Sequence, residues 1–75
     1  MSLYNLVHRK YSAIMPLDGY AQDKGWFWVY DRMRDQVRYY REEREAWNAK
    51  EKLCDAAWND AINRVIVELR LMYRD

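Results

Sequence analysis

From Trp26 to Asp75 the chain runs fifty residues without a proline or a glycine. Pro16, Gly19 and Gly25 are the only residues of either kind, and all three fall within ten positions. Punctuation of that strength marks a loop over residues 16–25, and nothing beyond it obliges a helix to stop. Asp23 stands where an N-cap for that helix belongs. Before the loop, Leu3, Leu6, Val7, Tyr11, Ile14 and Met15 recur at helical spacing behind Ser2, which predicts a first helix over residues 3–14.

Within the fifty residues the apolar positions follow the 3-4 alternation of a coiled-coil seam. One register runs Tyr30, Val37, Arg44, Glu51, Trp58, Val65, Met72, and its partner runs Met33, Tyr40, Trp47, Cys54, Ala61, Glu68; ten of the thirteen positions are apolar. The expected fold class is therefore all-α: a short N-terminal helix, the loop, and one long helix that is continuous, kinked or broken near residues 44–52, where Arg44 and Glu51 interrupt the seam. A continuous helix of this length is about 75 Å long and has to pair with another chain to bury its seam. If it breaks, a helical hairpin completed by the first helix gives a three-helix unit. Ala46, Ala49, Lys50, Glu51 and Lys52 are strong helix formers, which favours continuity. A β reading also exists for Trp26–Tyr30 and Val65–Leu71, rich in aromatic and branched residues. It ranks below the helix, because the two strands would be separated by thirty residues of helical character and a two-stranded sheet is marginal in water.

Seventy-five residues make one domain, spanning 1–75, with a thin core. Small domains add a disulfide, a metal or a second subunit. One cysteine, Cys54, and one histidine, His8, leave self-association as the available staple. The expected homodimer seam comprises Met33, Val37, Tyr40, Trp47, Cys54, Trp58, Val65 and Met72. Thirteen Lys and Arg against twelve Asp and Glu are interspersed, without the one-signed field of strong nucleic-acid binders. The longest apolar run, Trp26 to Tyr30, is far short of the ~20 residues of a membrane span, so no membrane role and a cytoplasmic location are expected.

Four Trp and seven Tyr exceed what a thin core absorbs. Five large apolar residues in a row, Trp26 to Tyr30, cannot all face one seam of a helix. Trp26 and Trp28 become candidate anchors for a protein partner, with Val67 and Leu71 as a second apolar patch. Arg34, Arg38 and Arg41 at i, i+4 and i+7, with Tyr39 nearby, suit a phosphate backbone, but Asp31, Asp35, Glu42 and Glu45 stand within ion-pairing reach of them. His8 and Ser12 are one helical turn apart, yet no orienting third group or oxyanion site accompanies them. No cofactor or metal set is expected. The sequence thus points to a non-catalytic helical interaction module, an adaptor or stoichiometric inhibitor of a larger protein assembly, of the kind small reading frames of mobile genetic elements encode. The alternative is a small nucleic-acid-binding regulator using the arginine-rich helix face.

Overall fold

The computed structural model describes residues 2–72. Helix α1 spans Leu3–Ile14, strands β1, β2 and β3 span Leu17–Ala21, Trp26–Asp31 and Gln36–Tyr40, and helix α2 spans Glu43–Met72. The strands form an antiparallel meander in the order β1-β2-β3. The architecture is α+β, which corrects the all-α expectation. The long helix exists only from Glu43 onward, and residues 16–25 are a strand and a turn.

The physical reason lies in two four-residue hairpin loops. Residues 22–25 close β1 onto β2, with the amides of Lys24 and Gly25 donating to the Ala21 carbonyl and Gly25 at φ 67°. Residues 32–35 close β2 onto β3, and here Asp35 takes the corresponding left-handed conformation at φ 55°. Aspartate tolerates that region better than most side chains. A carboxylate supports the turn as well: Asp31 Oδ1 accepts from the amides of Met33 and Arg34 at 3.0 and 3.3 Å. The second turn is thus built without glycine or proline, so nothing in composition announces it. Of the two segments with β character, Trp26–Tyr30 lies in β2, whereas Val65–Leu71 is helical.

Ser2 caps α1 by accepting from the Asn5 amide, and Glu43 and Glu45 in the first turn of α2 complement its N-terminal dipole. Helix α2, about 45 Å long at 1.5 Å per residue, carries two small cores in series. Its first half packs on one face of the sheet, where Val29 and Ala46 are buried. Its second half packs on α1, where Val7, Ala61 and Val65 are buried with Leu6, Tyr11, Ile14, Trp58, Ile62 and Leu69 around them. The coiled-coil expectation is corrected here as well. Trp58, Ala61 and Val65 do face a helix, but it is α1 of the same chain, and Cys54 lies beside Tyr11. Met33 sits in the second hairpin loop, Val37 and Tyr40 project from opposite faces of β3, and Trp47 and Met72 are exposed. The helical hairpin alternative fails too, since α2 passes through residues 44–52 without a turn. Ion pairs tie the elements at the surface: Lys10 with Glu68 at 2.6 Å, and Lys50 with Asp18 at 2.8 Å.

Candidate interaction surface

Strand pairing sorts the sheet's side chains into two faces. Leu17, Gly19 and Ala21 of β1 stand opposite Tyr30, Trp28 and Trp26 of β2, and Tyr30 and Trp28 stand opposite Val37 and Tyr39 of β3. This set of eight forms the face turned away from α2. The other set, Asp18, Tyr20, Phe27, Val29, Asp31, Gln36, Arg38 and Tyr40, is turned toward it. Sheets with one solvated face normally place polar side chains on the solvent side. Here the distribution is inverted. The helix-side face carries Asp18, Asp31 and Arg38, while the open face carries no ionised group.

On that open face Tyr39 is 53% exposed, Val37 46% and Leu17 40%. Trp28 lies over Gly19 so closely that a Cβ built on the glycine falls 2.3 Å from the ring. The glycine is what lets the indole lie against the strand. Charge appears only where the face ends. Arg41 places its guanidinium carbon 4.9 Å from the Trp26 ring centroid at one end, a geometry in which the ring's quadrupole attracts the cation. At the other end the Tyr30 hydroxyl donates to Asp35, and that hydrogen bond raises the phenol's pKa above its ordinary value.

Between β3 and the first half of α2 runs a groove of about 480 Å³, lined by Asp31, Arg34, Arg38 and Tyr40 on the sheet side and by Glu45 and Lys52 on the helix side. Asp31 is 7% exposed and pairs with Arg34 at 3.6 Å. Its charge is therefore compensated within the turn it supports.

The structure distributes the sequence-derived candidates over three places. Trp26, Trp28, Tyr39 and Arg41 come together on or at the end of the open face. Arg34 and Arg38 line the groove on the other side, so the three arginines do not share a face, and no helix carries them. Val67 and Leu71 are exposed near the end of α2. Leu17, Gly19 and Tyr30 belong to the open face and were not among those candidates; the alternation of Leu17, Gly19 and Ala21 with Asp18 and Tyr20 is the sequence signal for their side of the sheet. In α1 the Ser12 hydroxyl donates to the His8 carbonyl at 2.9 Å and not to its ring. Among the described residues no group of three His, Cys, Asp or Glu is placed to hold a metal ion, and no helix is long and apolar enough to cross a membrane. Comparison of the chain with protein-family models, with curated proteins and with solved structures returns no match.

Proposed function

We propose that this protein is a non-catalytic interaction module that works by laying the open face of its sheet against protein. The observation that carries the reading is the inverted charge distribution: the face lacking a helix is the face lacking charge. Trp26, Trp28, Tyr30 and Tyr39 are residue types that supply large contact area for two lost torsions each, and they are enriched where interfaces hold their binding energy. Single exposed apolar residues are ordinary on protein surfaces, but a contiguous apolar sheet face is a contact site. A cytoplasmic site of action belongs to the same reading, and the unpaired Cys54 fits a reducing compartment.

Photo-crosslinking in cells tests it. A benzophenone amino acid in place of Tyr39 should give protein adducts of discrete mass, whether to this chain or to another. The same group in place of Tyr20, which is equally exposed but on the helix side, should give few. Absence of protein adducts from position 39, or adducts to nucleic acid alone, would overturn the reading.

A further inference from the structure

We propose that the occupant of the open face is a second copy of this chain, stacked antiparallel across a two-fold axis so that Arg41 of each copy meets the Tyr30–Asp35 end of the other. The inference rests on the reading of this face as a protein contact surface and names what covers it.

The first argument is area. A folded monomer of 9.3 kDa is expected to expose about 5,000 Å², from the scaling of surface with mass. This chain exposes 6145 Å². The excess, on the order of 1,100 Å², exceeds the ~800 Å² that each partner contributes to a standard interface. It arises because the molecule is narrow, with principal extents of 56 × 20 × 16 Å, and because its largest side chains are at most partly enclosed. None of the four Trp is buried; the buried apolar core consists of Val7, Val29, Ala46, Ala57, Ala61 and Val65. Stacking two sheets about 10 Å apart encloses the rings of both inner faces, as in a β-sandwich.

The second argument is charge. A foreign protein is selected and oriented by complementary charges across the contact, and eight positions of this face supply none. A two-fold contact needs only a surface complementary to itself. The ends of the face provide that. Arg41 lies over Trp26 at one end and Asp35 beside Tyr30 at the other. The five residues of β3 separate Asp35 from Arg41, six steps of near-extended chain or roughly 20 Å at the rise of a strand. Antiparallel stacking sets each cation over the other copy's carboxylate, twice per dimer. A parallel stack would set Arg41 against Arg41 and Asp35 against Asp35; Arg32, the cation at the Tyr30 end, is engaged within its own chain, its Nε donating to the Met15 carbonyl at 2.7 Å.

The test is light scattering with sedimentation equilibrium on the full chain at tens of micromolar, with reductant. The expected mass is twice 9.3 kDa. Tyr39→Lys should weaken self-association by about 30-fold or more, as loss of an aromatic anchor does, while the far-ultraviolet circular dichroism stays unchanged because Tyr39 is already half exposed. The end contacts are tested in trans. Arg41→Glu and Asp35→Lys, each retaining the wild-type far-ultraviolet circular dichroism, should weaken self-association by about fivefold for a rim pair, and Asp35→Asn, which keeps the left-handed turn and an acceptor for Tyr30, should weaken it in the same direction. Mixing Arg41→Glu with Asp35→Lys should restore wild-type affinity, because in the heterodimer both ends again pair opposite charges. Rescue on mixing cannot come from a folding defect in either variant. A monomer throughout, a dimer indifferent to Tyr39→Lys, or mixing without rescue would overturn the proposal. A monomer that still crosslinks to another protein from position 39 would overturn this inference and leave the proposed function standing.

Discussion

Tyr11 shows how much one side chain can depend on both cores' shared helix. Its ring packs edge-on against Trp58 with centroids 5.3 Å apart. Hydrogen bonding with the Cys54 side chain, partial burial and the nearby charges of Cys54 and Asp55 push its phenol up to about 12. The unfolded chain ionises this group near pH 10, about two units earlier. Between those values the unfolded state has released the proton and the folded state still holds it, so the group's contribution to stability is fully present below pH 10 and is lost as pH rises through that window. Urea midpoints of the wild type should therefore drop between pH 10 and pH 12, and Tyr11→Phe should flatten that drop while lowering stability slightly at neutral pH. An identical alkaline slope in the two proteins would mean that Tyr11 titrates as a free phenol. Asp35 illustrates a different dependence. It supplies both the left-handed turn and the acceptor for Tyr30, two demands that glycine or alanine could meet only in part.

At the level of elements, the sheet depends on the close contact between β1 and β2. Trp28 occupies the space a side chain on position 19 would take. Gly19→Ala should force the indole off the strand at a cost of about 1–3 kcal/mol, the usual range for overpacking. The near-ultraviolet circular dichroism of Trp28 and the urea midpoint would register it; an unchanged spectrum would show that the ring does not rest on the glycine. The same strands explain what was legible in the sequence. Helix α1 could be read from Ser2 and the spacing of its apolar residues, because its environment is one-sided. Strand β2 is readable only as the lower-ranked alternative, because Trp26, Trp28 and Tyr30 face outward and Phe27 and Val29 inward. Large apolar residues on both sides erase the period of two by which strands are recognised. The second turn hid behind Asp31 and Asp35, whose side chains do the work that glycine does at position 25. Trp26, Trp28, Tyr39 and Arg41 were singled out for their side-chain chemistry, but their shared surface follows from strand register and not from helical spacing. Leu17, Gly19 and Tyr30 give no such signal, because sequence spacing places them in a loop or a seam where the structure has a sheet face.

At the scale of the whole molecule, α2 is the scaffold on which two small cores sit in series. The sheet rests on its first half and α1 on its second, with Ala57 and Ala61 fully buried along its length. No buried side chain in either core is larger than valine, so neither is expected to hold its elements alone. Continuity of α2 must then couple them. Asp55 tests this, because it lies on the exposed side of the helix between the two halves. Asp55→Pro removes a hydrogen bond of the helix and adds a clash with the preceding turn, at a cost of about 3 kcal/mol or more. In the wild type, amide exchange of β2 and of residues 61–69 should reveal one cooperative unit with a shared opening free energy. In the variant, protection should fall in both regions together, although β2 lies far along the chain from the substitution. If β2 kept its protection while residues 61–69 lost theirs, the sheet and the first half of α2 would form an independent unit, and α1 with the rest of α2 would be an appendage to it.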